Sequence, residues 1–129
     1  MVPKITTEKM SIYQAAARQR RQLKEEGLEL RRQRAWEVAQ QASQILKEQF
    51  EAHRVAVFGS TLSSRRFHQR SDVDLAVWGL DERAYYRAVA RLLSLDPMIP
   101  VNLVEAELAP PALLAIIEIE GVSLPCQPL

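Results

Sequence analysis

The chain of 129 residues is poor in the residues that build covalent or metal-stapled sites. Its single cysteine, Cys126, lies near the C-terminal end and can form no internal disulfide. Its two histidines, His53 and His68, have no Cys or His neighbours at metal-ligand spacing, which removes a zinc centre from consideration. No Ser-His-Asp or Cys-His arrangement can be assembled either. No run approaches the ~18 apolar residues of a membrane-spanning helix. Met1-Val2-Pro3-Lys4 lacks the apolar core of a secretory signal. Together with the lone cysteine, this leads to the expectation of a cytoplasmic protein. There are no repeats and no low-complexity segment. What remains is ordinary: 47% hydrophobic and 26% charged residues, enough for one domain with a core and an appendage.

The net charge of +1 hides an uneven distribution. Residues 1–50 carry 10 basic against 6 acidic residues, and residues 81–129 carry 3 against 7. The basic part includes Arg18, Arg20, Arg21, Lys24, Arg31, Arg32 and Arg34. Glu25, Glu26 and Glu29 interrupt this run and can pair with it, so the preferred reading is a solvated helix surface. Nucleic-acid binding through the basic run ranks lowest, because no aromatic residues are interleaved with it.

Residues 7–50 read as helix, with Thr6 or Thr7 as the cap, Glu8 in the first turn and Gly27 as the only local breaker. Leu28, Ala35, Val38, Ala39, Ala42, Ile45, Leu46 and Phe50 form one apolar stripe. Residues 7–27 offer only Ile12, Tyr13, Ala16, Ala17 and Leu23. They are expected to leave their own domain and meet a partner or a second copy. The domain reading is therefore an N-terminal helical arm over 1–34, a folded domain over 35–125 and a tail over 126–129.

Beyond residue 51 the apolar period shortens. Strands are expected over 53–58, 73–78 and 101–105, with a short final one at Val122-Ser123-Leu124. Asp81 is expected to cap a helix through about Leu95, with Ala84, Tyr85, Ala88, Val89, Leu92 and Leu93 as its stripe and Pro97 and Pro100 beyond it. Pro110 or Pro111 starts a last helix that Gly121 ends. The fold class is α/β, or α+β: a mixed sheet of about four strands flanked by helices, with a long N-terminal helical extension. Trp36 and Trp78 are expected in the core. Of Tyr85 and Tyr86, adjacent on one helix, one is expected inside and the other outside.

The chemistry is concentrated in two patches. Gly59-Ser60 follows the apolar run Val55-Ala56-Val57-Phe58, and Asp72-Val73-Asp74 precedes Leu75-Ala76-Val77-Trp78. Two carboxylates at i and i+2 on a strand face one way, roughly 7 Å apart. A Gly-Ser turn after a strand can present backbone N–H groups to a phosphate. Carboxylates can hold Mg²⁺, a hard cation that prefers oxygen ligands. Two such ions about 4 Å apart clamp the attacking and leaving oxygens of a phosphoryl or nucleotidyl transfer. An Asp-x-Asp at the start of an otherwise apolar strand is costly unless something binds it. The order strand, Gly-Ser, short helix, Ser-Asp-x-Asp, strand is far more specific than either patch alone.

Val57-Phe58-Gly59-Ser60 followed by Ser71-Asp72-Val73-Asp74-Leu75-Ala76-Val77 resembles the minimal nucleotidyltransferases of the DNA polymerase β superfamily. The resemblance covers about residues 35–125, including Glu120-Gly121-Val122-Ser123-Leu124. It implies that Gly59 and Ser60 bind the triphosphate of ATP and that Asp72 and Asp74 bind Mg²⁺, with two ions possible. It also implies transfer of AMP to a hydroxyl. Many members are antitoxins that bind and can adenylylate a helical HEPN-type toxin, so such a partner, or a homodimer formed through the arm, is implied here.

Three departures bear on that expectation. Asn102, in Pro100-Val101-Asn102-Leu103-Val104-Glu105, stands where the family carries a third Asp that binds metal and helps deprotonate the acceptor. An amide is neutral and cannot act as a base. Glu105 is no substitute on a regular strand, because it faces the other way. The spacer Thr61–Ser71 is one residue longer than usual. It lacks the customary glycine and carries Arg65, Arg66, His68 and Arg70 instead. Arg65 and Arg66 are candidate phosphate contacts; a solvated basic loop is the equal alternative. Two readings stay open: an adenylyl-transferring enzyme, or a catalytically weakened module that binds nucleotide and masks a toxin.

Overall fold

The computed structural model describes residues 6–125. Cys126 and the rest of the tail read at 126–129 lie outside the described residues. A single helix, α1, runs from Thr7 to Phe50. Thr6 caps it by accepting the Lys9 N–H at 3.2 Å. At its end Glu51 turns left-handed, and the Ala52 N–H reaches back to Leu46 O at 3.0 Å. Gly27 does not interrupt the helix, so the expected arm boundary at residue 34 falls inside one continuous rod.

The four strands are β1 (Arg54–Phe58), β2 (Val73–Trp78), β3 (Val101–Glu105) and β4 (Val122–Leu124). Their order in the sheet is β3-β2-β1-β4. β1 is antiparallel to both β2 and β4, while β2 and β3 are parallel, so the sheet is mixed as expected. The crossover from β2 to β3 carries α2 (Tyr85–Leu93), and α3 (Pro111–Glu120) joins β3 to β4. Asp81 does cap, accepting the Arg83 N–H at 2.9 Å, but what it caps is a 3₁₀ turn over Glu82–Ala84. α2 proper is shorter than the expected helix, ending at Leu93, which is itself 48% exposed. Ser94 follows it and bonds back to Arg91 O through its hydroxyl at 2.7 Å. A serine in this place competes for the helix carbonyls and stops the helix before either proline is reached.

The two faces of β2 go to different layers. Val73, Leu75 and Val77 join the main core with Ala35, Val38, Ala42 and Leu46 of α1 and Ala88 and Leu92 of α2. Ala76 faces the other way, with Phe58 and Ile117 of α3, and Trp78, Val104 and Leu113 pack around them. β2 thus reads apolar on both faces because it is central and covered twice. Asp74 has the parity of Ala76, so it opens on the α3 side at the end of the sheet where β1 finishes and β2 and β3 begin. Trp36 is half-buried against the main core. Tyr85 is half-buried, its hydroxyl donating to Leu103 O at 2.7 Å, and Tyr86 is 83% exposed.

Candidate functional site

Gly59 and Ser60 begin a 3₁₀ turn, Gly59–Leu62, directly off the end of β1. Gly59 has φ +78°, and a Cβ there would collide with Oδ2 of Asp74. The glycine therefore meets two demands at once: a left-handed backbone and a carboxylate pressed against the turn. The rest of the loop is folded by its own contacts. Phe67, whose role sequence reading missed, is 5% exposed and plugs the main core, and Thr61 is fully buried. Ser71 accepts the His68 N–H at 2.9 Å, and His68 Nδ1 accepts the Arg70 N–H at 3.1 Å.

Asp74 is the second residue of β2 and sits between Phe58 on β1 and Asn102 on β3. The parallel register runs unbroken from Val73–Val101 to Val77–Glu105. It sets Asn102 beside Asp74, and the amide donates from Nδ2 to Oδ1 at 3.2 Å. Asp74 is partly covered. Burial pushes its carboxyl above the ordinary aspartate range, and the charge of Asp72 adds to that push, while the Asn102 hydrogen bond opposes it. Asp72 precedes the strand by one residue and is exposed. Glu105 lies on the opposite face, with Oε1 buried and without a hydrogen-bond partner. Its carboxyl is raised by burial and by the neighbouring Glu82 and Glu107. No bulge brings it toward Asp74.

Of the seven candidate residues, the structure brings Gly59, Ser60, Asp72, Asp74 and Asn102 to one corner of the sheet. Arg66 stands beside them: its guanidinium reaches Gly59 O at 3.5 Å and Glu120 at 3.7 Å. Arg65 is exposed on the same loop. Among the described residues no group of three or more His, Cys, Asp and Glu side chains could hold a metal. The donors at this corner are two carboxylates and one amide. Their oxygens are hard donors that suit Mg²⁺, and Oδ2 of Asp74 lies directly against the Gly59 backbone, where a Cβ would collide with it.

The basic run is where the sequence reading needs correcting. Arg18, Arg20, Arg21 and Lys24 are exposed as expected, but Arg31 and Arg32 are docked on loop carbonyls and are not a solvated surface. Arg31 donates from Nη1 to Met98 O at 2.8 Å and from Nη2 to Ser71 O at 3.2 Å. Arg32 donates from Nε to Thr61 O at 2.9 Å, while its Nη1 stands 3.8 Å from Glu29. Arg34 pairs with Asp96 at 2.9 Å and with Glu37 at 2.9 Å. Intrahelical pairing with glutamate was legible from spacing. The carbonyls these arginines hold come from loops distant in sequence, and nothing local marks them.

A four-stranded mixed sheet with a Gly-Ser turn off one strand and an aspartate pair at the start of the next defines a class of nucleotide-handling domain. Residues 40–128 match the family described as "Polymerase beta, Nucleotidyltransferase". The chain belongs to that nucleotidyltransferase family. Among solved structures, a chain of a toxin–antitoxin crystallised with AMP-PNP is 26% identical, with a TM-score of 0.53 over 63% of this chain and 67% of that one. A chain of a mutant MntA–HepT toxin–antitoxin is 24% identical, with a TM-score of 0.52 over 63% of this chain and 66% of that one. The chain thus spans about two thirds of these neighbours, just under that share for the mutant. No curated protein matches the chain significantly.

Proposed function

We propose that the protein transfers an adenylyl group from ATP to a hydroxyl of a partner protein, in the manner of an antitoxin acting on a helical, HEPN-type toxin. The observation that carries this reading is the convergence of the Gly59 turn, Asp72, Asp74 and Asn102 on one corner of the sheet. The family membership and the likeness to a toxin–antitoxin with AMP-PNP support it.

In this reading Ser60 and the N–H groups of the turn hold the triphosphate, with the left-handed Gly59 opening the turn. Asp72 and Asp74 hold Mg²⁺, which when bound neutralises phosphate charge and aligns the reacting groups. The acceptor oxygen forms a bond to the α-phosphorus, the bond to the bridging oxygen breaks, and pyrophosphate leaves. Asn102 cannot take the acceptor's proton. The proton passes to solvent, and Asn102 orients Asp74 through its amide. Arg66 is placed to meet a phosphate if it releases Glu120.

The amide at 102 also favours the second reading, a site that binds nucleotide and partner but turns over slowly. ATP labelled on its α-phosphate, incubated with Mg²⁺, the protein and a HEPN-type toxin, separates the two. Label on the toxin that disappears with Asp72→Ala supports transfer. Unlabelled toxin that still co-purifies, with ATP retained, establishes the binding module instead.

A further inference from the structure

We propose that Arg31 and Arg32 are positioning residues: two guanidinium groups on α1 that hold the site's backbone in place from outside the sheet. The proposal rests on the nucleotide-site reading above. Three chain segments must meet for the site to exist: the Gly59–Leu62 turn, the start of β2 and the start of β3. Arg32 grips the first through Thr61 O at 2.9 Å. Arg31 grips the other two together, through Ser71 O at 3.2 Å and Met98 O at 2.8 Å.

These carbonyls matter by their place. Ser71 immediately precedes Asp72, so fixing its carbonyl fixes the peptide plane that leads into the first carboxylate. Met98 lies just ahead of β3, and the Val73 N–H bonds to Pro100 O at 2.9 Å. Arg31 therefore braces the two strand starts whose register puts Asn102 against Asp74. Arg31 Nε is buried without a hydrogen-bond partner, so the forked end, not the stem, is what this side chain supplies. A planar fork holds two carbonyls of two segments in one fixed geometry, which the compact, rotating donors of an ammonium do not reproduce. Arg32 contributes one bond from Nε, which a lysine can partly reproduce. Because α1 continues outward from these residues into an exposed rod, the same arginines join the arm to the site.

The test is Mn²⁺ with ATP as the probe, followed by the paramagnetic resonance spectrum of the bound ion, with thermal unfolding in parallel. Arg31→Ala and Arg31→Lys should each weaken binding by about tenfold and change the bound-ion spectrum, as expected when ligands move by a fraction of an ångström. Arg32→Ala should weaken it similarly, and Arg32→Lys should recover part of the loss. Lys47→Ala removes a tether of the same helix away from the site, to Leu124 O at 2.5 Å. It should lower the melting temperature as much while leaving affinity and spectrum unchanged. Affinity within twofold of the native protein in both Arg31→Ala and Arg32→Ala overturns the proposal and leaves the nucleotide site standing. An equal loss in Lys47→Ala overturns it too, reducing the arginines to helix anchors. If the native protein binds no Mn²⁺ with ATP, the nucleotide-site reading itself fails and takes the proposal with it.

Discussion

Gly59 and Asp74 are a single device at the residue scale. The turn can run this close to the carboxylate only because position 59 has no Cβ and tolerates φ +78°. Gly59→Ala should cost about 1–2 kcal/mol in backbone strain alone. It should also displace Asp74, so that a thermal melt shows destabilisation and a Mg-ATP titration shows lost binding. Asn102 gives a sharper prediction, because its amide currently satisfies Asp74 Oδ1 at 3.2 Å. Asn102→Asp sets a third carboxylate at this corner, which repels Asp74 until a cation arrives. The melting temperature without metal should fall, and the rise on adding Mg²⁺ should exceed that of the native protein. If transfer activity also rises, the native site is a weakened one. The aspartate pair and the Gly-Ser turn were legible in the sequence because each rests on local spacing, and the neutral third position was legible through the resemblance to the family pattern. The hydrogen bond between residues 74 and 102 was not, since it depends on the parallel register of β2 with β3.

At the scale of elements, α1 does two jobs along one rod. Its C-terminal half lays Ala35, Val38, Ala39, Ala42 and Leu46 into the main core, as the stripe foretold. Its middle turns are fastened by arginines rather than by apolar contact. The Arg34–Asp96 pair gives this fastening a pH signature. The guanidinium of Arg34 and the Met98 N–H hold the Asp96 carboxyl below the ordinary aspartate range. A carboxyl lowered in the folded state stabilises fully above its unfolded-state value, and that contribution is lost as pH falls through the folded one. Stability measured by denaturant from neutral pH downward should therefore drop in the acid limb, and Asp96→Asn should flatten that drop. Gly27 is the converse case: a Cβ there meets nothing within 4 Å. Gly27→Ala should favour the arm helix by about 1 kcal/mol, seen as increased helical circular dichroism with the domain's melting point unchanged.

The whole molecule is a folded α/β body carrying a projecting helix. Met10, Ile12, Tyr13, Leu23 and Leu30 are all more than 40% exposed, so the arm buries no apolar face of its own chain. Among the described residues no helix is long and apolar enough to cross a membrane. Removing residues 1–27 should leave the sheet and its core intact by circular dichroism, while association with a partner or second copy, read by light scattering and pull-down, is lost. Unchanged mass and unchanged pull-down would mean the arm is no docking element.

The sequence by itself determined the strands, their order of faces, the long helix and its cap, and the residue types at the site, because these follow from periodicity and turn chemistry within a few residues. Tertiary structure alone decided that the basic run splits into an exposed part and a docked part, that Phe67 belongs to the core, and that the Asn102 amide meets Asp74. Each of these depends on which distant segments come to lie side by side. The three backbone carbonyls that Arg31 and Arg32 hold between them leave no mark in the residues that supply them, since every residue has a carbonyl.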